Sequence, residues 1–479
     1  MLFGSACAPT TTTGGRPAWL SHCHVDGFDV ETLCGTLTVP VQPGVDADTL
    51  DLRVVVVPAV KPVPDPDPLV LLAGGPGQAA SEAYGAMMPS MARIQQSRDL
   101  VMMDQRGTGS SSPLDCPDLG EETLASRFSD EVPKEEVEQC RDALVLAGHD
   151  LSAFSTRNHS HDLEALRIAL GADQWNLYGG SYGTRAALDY ADIHPERVRR
   201  LILDGVAPRE LPLFGTFGID GQAALEAMLV ACETDTEGCA AAFPHLRSRL
   251  QQLLAREATE VEVLHPRTGA VETLPLSGRV IAAIIRNILY SPQMLALLPM
   301  AVHQATETPP NLQPFVTLAG AVGGDTLEDT MSMGLMLSVA CQEDVHRITG
   351  ALTSASTHTF LGTQLIDLAR DWCTSWPVDA QIPPPPPVAW PGPTLLLSGA
   401  LDPVTPPRWA EVAARTLPDH HHLVAPGGGH IVFPYGCIPE QTLRFLDAPD
   451  ESATTLVEPD CVDNIHRPPF VLDFAGPPG

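Results

Sequence analysis

The chain has 479 residues, 44% of them hydrophobic and 18% charged, which is the composition of a globular protein and excludes wholesale disorder. Its 59 acidic side chains outnumber 28 basic ones for a formal charge of −31, and no Lys/Arg cluster offsets that field, so nucleic acid is excluded as a partner. The longest apolar stretch, Val280 to Met300, is broken by Arg286, Asn287 and Pro292, short of the roughly 18 uninterrupted apolar residues of a membrane helix.

Residues 1–17 are rich in Thr, Gly and Pro and read as an N-terminal tether or signal remnant. Within it, MLFGSAC carries the small residues and cysteine that close a bacterial lipoprotein signal, without the basic and apolar regions that should precede them. Cys7 is therefore a candidate lipid anchor or a stray thiol. The ten later cysteines fall into near neighbours: Cys23 with Cys34, Cys116 with Cys140, Cys232 with Cys239, Cys341 with Cys373, and Cys437 with Cys461. Five bridges on that pattern are expected, although spacing alone leaves the connectivity open. Such bridges persist only in an oxidising compartment, so the periplasm or the cell exterior is expected. No pair has C-x2-C spacing and no His-x3–5-His pattern accompanies one, so neither a metal nor another cofactor is expected.

Cys34 to Val41 and Leu50 to Pro58 are β-patterned, the latter rich in Val, with Pro43-Gly44 between them, and predict a hairpin. Leu69 to Leu72, ending in Gly74-Gly75-Pro76-Gly77, and Leu100 to Met103, ending in Asp104, predict buried parallel strands. Asp162 to Leu170 is an amphipathic helix closed by Gly171. Strand Trp175 to Tyr178 then runs into Gly179-Gly180-Ser181-Tyr182-Gly183, a helix follows from Thr184 to Ile193, and a strand from Leu201 to Asp204. From about Pro208 the pattern turns helical, over Gly221 to Cys232, Ala240 to Ala255 and Leu276 to Val302, with no strand alternation until Thr394. A proline run, Pro383 to Pro387, marks the return to strands at Leu395 to Leu397 and His421 to Val424. The expected organisation is a mostly parallel, doubly wound α/β core in two parts, 18–208 and 378–479, split by a mainly helical cap at 209–377.

Gly-Gly-Ser181-Tyr-Gly matches G-x-S-x-G between an apolar strand and a helix, the setting in which a serine is forced into a sparsely allowed backbone geometry and flanking side chains would clash. Asp402 follows one late strand and His430 follows a Gly427-Gly428-Gly429 loop beyond another, so Ser, Asp and His come in the chain order of the α/β-hydrolase fold. The roles expected are Ser181 as nucleophile, His430 as general base and Asp402 as the residue fixing the histidine tautomer. His420, His421 and His422 are rival bases, but they sit at the wrong end of the last strand. An oxyanion hole needs one N–H after the nucleophile, Tyr182, and one from an early strand loop, for which Gly75 is the choice.

GGPGQ (74–78), DQRGTGSS (104–111), DLEALRIALG (162–171), NLYGGSYGTR (176–185), HPERVRRLILDGV (194–206), SGALDPVTP (398–406) and GGGH (427–430) together resemble the proline iminopeptidase and tripeptidyl aminopeptidase group of α/β-hydrolase serine peptidases. The paired cysteines look like the secreted tripeptidyl aminopeptidase branch with its TAP-like C-terminal segment. The resemblance implies hydrolysis of short peptides from the free N-terminus under a helical cap. One departure is Ala73, where many relatives have His before GGPG. Such an exopeptidase needs a carboxylate for the substrate ammonium. Glu343 and Asp344 are the candidates, because a Cys341–Cys373 bridge would hold their segment rigid. A carboxylesterase using the same triad is the alternative, since fold analogy does not choose between ester and amide. The Met-rich stretch Met331 to Met336 is expected to be helical core packing rather than pocket lining.

Overall fold

The computed structural model describes residues 17–45, 48–117, 133–322, 331–378, 386–450 and 453–473. Cys7, the tether up to residue 16 and the first three residues of the proline run lie outside the described residues.

Among the described residues, nine strands form one sheet in the order β1-β2-β3-β5-β4-β6-β7-β10-β11. They are β1 (Ser21–Cys23), β2 (Thr32–Pro40), β3 (Thr49–Val57), β4 (Leu69–Leu72), β5 (Leu100–Met103), β6 (Trp175–Gly180), β7 (Val198–Asp204), β10 (Thr394–Gly399) and β11 (His420–Ala425). The first three are antiparallel and include the predicted hairpin, while β5-β4-β6-β7-β10-β11 are parallel throughout. In β4, β5, β6 and β10 every residue is buried, as continuous apolar runs covered on both faces must be. After β4 the chain goes to one side for β5 and to the other for β6, so β4 is a topological switch point. Crevices in open parallel sheets form beyond the carboxyl ends of the strands at such points.

On the core the helices are α1 (Ala80–Ala83), α2 (Met88–Gln95), α3 (Lys134–Leu146), α4 (Thr156–Leu170) and α5 (Tyr182–Ile193). Helix α4 starts six residues before the predicted segment because Ser155 caps it, its side chain accepting from Asn158 N, and it ends at Gly171 in the left-handed conformation with φ 71°.

The insert between β7 and β10 is mainly helical: α6 (Phe217–Thr234), α7 (Leu246–Leu254), α8 (Gly278–Ile288), α9 (Leu298–Ala305), α10 (Gln313–Val322), α11 (Met333–Glu343) and α12 (Gln364–Ser375), with shorter turns between. It has a hydrophobic core of its own around Ile281, Ile285, Leu298 and Phe315. Two sequence expectations change here. The insert is not free of strands, for β8 (Thr259–Leu264) and β9 (Val271–Leu276) pair as an antiparallel hairpin separate from the main sheet. The stretch predicted as one helix from Leu276 to Val302 is broken at Pro292 and again before Leu298, since proline opens a helix but does not continue one.

All five near-neighbour cysteine pairs are disulfides: 23–34, 116–140, 232–239, 341–373 and 437–461. The last tethers α14 (Ile438–Asp447), which with α13 (Pro407–Ala414) completes the second part of the core. No helix among the described residues is long and apolar enough to cross a membrane.

Candidate active site

Ser181 stands between β6 and α5 at φ 54°, ψ −123°, a conformation that L side chains adopt only where the surroundings dictate it. The surroundings are tight. A Cβ on Gly179 would fall 2.4 Å from Gly183 O, and one on Gly183 would fall 2.1 Å from Leu72 O at the end of β4, so only glycines let the elbow pack on the neighbouring strand. Ser181 N donates to Asp204 O at 2.8 Å, which ties the elbow to the end of β7.

His430 follows β11 and Asp402 follows β10. His430 Nδ1 lies 2.9 Å from Asp402 Oδ2, and the carboxylate is further held by Val404 N, Thr405 N and Thr405 Oγ1 at 2.8 to 2.9 Å. Burial alone would raise the pKa of Asp402, but the His430 charge and hydrogen bond and those backbone N–H groups bring it below the usual carboxylate value. An ionised Asp402 accepts, so Nδ1 carries the proton and Nε2 is left as the basic atom of the ring. His430 itself is pulled down by burial and pushed up further by Asp402 and by the charge of Asp204, for a net rise.

Asp204 is a second buried carboxylate beside the histidine that the sequence did not single out. It accepts from Val432 N, Phe433 N and Tyr178 Oη at 2.8 to 3.0 Å. Those bonds pin the turn in which Ile431, a β-branched residue, is held at φ 65°. Burial pushes the Asp204 carboxyl up to about 6 against those hydrogen bonds.

Ser181 and His430 line one cavity of about 590 Å³, together with Gly74, Gly75 and Tyr182. Gly74 is packed so closely that a Cβ there would sit 3.1 Å from Ser181 Cβ. The cap closes over the loop after β4 through a bridge between Gln78 and Met331 and a bond from Ser332 N to Gly77 O. Met331 and Met336 line the cavity, so the Met-rich stretch supplies pocket wall as well as packing. The rival histidines stay outside: His420 and His422 sit on β11, with His422 Nε2 2.9 Å from Ser398 Oγ and His420 paired in register with Thr394 at the amino ends of the strands.

The two acids expected to read an ammonium are not among the cavity-lining residues. Asp344 is fully buried and bonded to Arg185 Nη1 at 2.7 Å and Arg347 Nη1 at 3.3 Å. Glu343 accepts from Thr156 N at 2.8 Å and Thr156 Oγ1 at 2.7 Å. Burial and the Asp344 charge push Glu343 up to about 7, against Arg185 and Thr156. Among the described residues, the charged side chains that do line the cavity, besides His430, are Glu82 on α1 and Arg286 on α8. Neither carries a sequence motif. Glu82 was nonetheless findable, because a helix that directly follows the loop at a switch-point strand must border the crevice.

The sheet order, the strained serine elbow and the His430–Asp402 pair define an α/β-hydrolase. Residues 67–236 match the alpha/beta hydrolase fold family and residues 358–457 match the TAP-like protein family. The chain is 32% identical over 219 residues to serine protease Hip1 of Mycobacterium tuberculosis, a stretch covering 42% of this chain and 41% of that protein. It is 34% identical over 144 residues to proline iminopeptidase of Neisseria gonorrhoeae, covering 30% and 34% of the two. It is 31% identical over 152 residues to tripeptidyl aminopeptidase of Streptomyces coelicolor, covering 29% and 28%. The matches thus span about two fifths or less of these relatives. The motif resemblance to the proline iminopeptidase and tripeptidyl aminopeptidase group is the one these similarities carry.

Proposed function

We propose that the protein is a serine exopeptidase that cleaves short peptides near their free N-terminus through an acyl-enzyme. The observation that carries this reading is Ser181 at its strained elbow in the same cavity as a histidine already oriented by Asp402. Ser181 Oγ attacks the scissile carbonyl while His430 Nε2 takes its proton. The oxyanion is received by the N–H groups of Tyr182, the first residue of α5, and Gly75. His430 then protonates the leaving amine, and a water activated by the same base hydrolyses the ester.

The cap at 209–377 limits the cleft to short or unfolded peptides. The ammonium-reading acid in this account is Glu82, since Asp344 is engaged by two arginines and both oxygens of Glu343 by Thr156. Relatives named as peptidases and the TAP-like match support amide over ester chemistry. Five disulfides support export to the periplasm or beyond, with Cys7 as the candidate lipid acceptor.

The test is a panel of peptides with free and acetylated N-termini beside p-nitrophenyl esters. Free peptides should exceed acetylated ones in kcat/KM by about tenfold or more, the worth of a charge-assisted bond, and Glu82→Gln should narrow that ratio. Turnover of esters alone would turn the reading to a carboxylesterase.

A further inference from the structure

Arg286 is a cation in the catalytic cavity with no carboxylate to answer it among the described residues. Its bonds go to neutral oxygens, Nη1 to Asn287 Oδ1 and Nη2 to Tyr290 Oη, each at 3.2 Å. Its guanidinium carbon lies 5.6 Å from the ring centres of both Phe217 and Tyr290. Its Nε is buried with no hydrogen-bond partner among the described residues. In a chain with 59 acidic residues against 28 basic ones, an arginine that lines the largely apolar catalytic cavity and is left to neutral partners is not explained by structural pairing. A guanidinium is always charged and is matched by a planar carboxylate, and holding it in an apolar wall costs free energy until such an anion arrives.

Its position says which part of a substrate would bring that anion. Tyr290, bonded to Arg286, stands edge-on to His430 with ring centres 5.3 Å apart, and Tyr290 O accepts from His430 N at 3.2 Å. The Arg286 charge is felt at His430, where it opposes protonation. Along the sheet, β7, β10 and β11 lie on one side of the Ser181 strand and β4 and β5 on the other. Arg286 belongs to the His430 side. Glu82, which follows the β4 loop and feels the charge of Asp104 at the end of β5, belongs to the opposite one. Since the histidine must hand its proton to the departing amine, the leaving group lies on the His430 side.

We infer that Arg286 is a specificity residue that receives a carboxylate carried by the leaving part of the substrate, so that the preferred substrates are short peptides that end, or bear an acidic side chain, just past the scissile bond. The inference rests on the peptidase reading and deepens it: one end of the cleft reads an ammonium and the other a carboxylate, which together select short zwitterionic peptides. The bond to the carboxylate persists into the transition state, because neither partner is consumed in the reaction.

The experiment uses di- and tetrapeptides, each as the free acid, as the C-terminal amide, and as an amide with Asp as the residue after the scissile bond, measured with wild type, Arg286→Gln and Arg286→Lys. For wild type the free acid should exceed the plain amide in kcat/KM by about tenfold or more, the lower end of what a hydrogen bond to a charged group contributes. That ratio should collapse toward one in Arg286→Gln and be partly kept in Arg286→Lys. Recovery by the Asp amide would identify a side-chain carboxylate as the preferred source, and failure to recover would identify the chain terminus. Because the readout is a ratio within each variant, a general loss of activity does not mimic it. Equal cleavage of acids and amides by wild type, or a ratio unchanged in Arg286→Gln, would overturn the assignment. A pair of aryl esters with and without a carboxylate on the leaving ring separates the two claims. If no peptide is cleaved but the anionic ester is preferred and loses that preference in Arg286→Gln, the peptidase reading fails and Arg286 stands.

Discussion

Glu343 holds Thr156 with both carboxylate oxygens, one on its N–H and one on its hydroxyl. The contact joins the end of α11 in the cap to the first turn of α4 in the core, and Thr156 Oγ1 is in turn 2.7 Å from the hydroxyl of Tyr182, the residue after the nucleophile. The carboxyl is pushed from 4.5 up to about 7 by burial and by its neighbour Asp344. An acid whose folded pKa exceeds its unfolded value keeps its proton longer when folded, so its contribution to stability falls as pH rises between those two values. Glu343→Gln removes that slope because an amide does not titrate, and it keeps the contact, since its oxygen still accepts from Thr156 N and its NH2 can donate to Thr156 Oγ1. Urea unfolding of both proteins across this window should show the variant gaining on wild type as pH rises. Parallel curves would rule the account out.

Arg106 and Asp162 form a bidentate pair, 2.7 Å at each contact, with both side chains almost wholly buried. Arg106 also donates to Val41 O and Ala153 O, so one guanidinium holds the end of β2, the turn before α4 and α4 itself. Arg106→Met strands the Asp162 charge and should cost about 3–5 kcal/mol. The double variant Arg106→Met, Asp162→Leu should be more stable than the single one, though below wild type because Val41 O and Pro40 O lose their Arg106 donors, while Ala153 O keeps Asn158 Nδ2. If the double variant is the worse of the two, the unpaired charge is not what the single variant suffers from.

Much of this site was legible in the sequence because its parts are local. The elbow at Ser181, the loop after Leu72, and Asp402 and His430 after late apolar strands each have a signature within a few residues, and the sheet does no more than bring the strand ends together. Near-neighbour cysteines were likewise paired correctly, since short loops close readily. What was missed is what depends on contacts between distant elements. Asp204 ends a buried strand and its role exists only through Val432 and Phe433, more than two hundred residues on. Arg286 and Glu82 are separated by the whole first half of the cap and the core. The β8–β9 hairpin escaped because glutamates alternate with its few apolar residues and only Val263, Leu274 and Leu276 are buried, so its pattern is weaker than the helices around it.

Ser181→Ala removes the nucleophile without touching the bonds that hold the elbow and should abolish turnover with an unchanged melting curve. Asp402→Asn keeps the shape of the site but loses the ionised acceptor that fixes the proton on His430 Nδ1. A fall in kcat of about 10⁴ is expected, the size of the loss when this substitution leaves a triad histidine in the wrong tautomer. A Ser181→Ala enzyme with a tenth of wild-type activity would remove Ser181 from its role.

The acid limb of the activity profile tests Asp204. His430 must be neutral to take the serine proton, and its pKa lies above the ordinary 6.5 because the charges and hydrogen bond of Asp402 and Asp204 outweigh burial. kcat/KM should therefore rise with pH through a midpoint above that value. Asp204→Asn takes away one of the two carboxylates that favour the imidazolium, while its side-chain oxygen can still accept from the N–H groups of Val432 and Phe433 that brace the turn at Ile431. The midpoint should move to lower pH, and a purely structural role for Asp204 would lower the rate without moving it. Asp204 itself titrates near 6, so the wild-type limb belongs to the pair and should be broader than a single ionisation, whereas that of Asp204→Asn should narrow to one. Asp204→Ala is the contrasting variant. It leaves Val432 N, Phe433 N and Tyr178 Oη buried without an acceptor, at about 1–3 kcal/mol each, and should lose stability as well as activity. A midpoint in Asp204→Asn that stays put or climbs would show that the Asp204 charge does not act on His430.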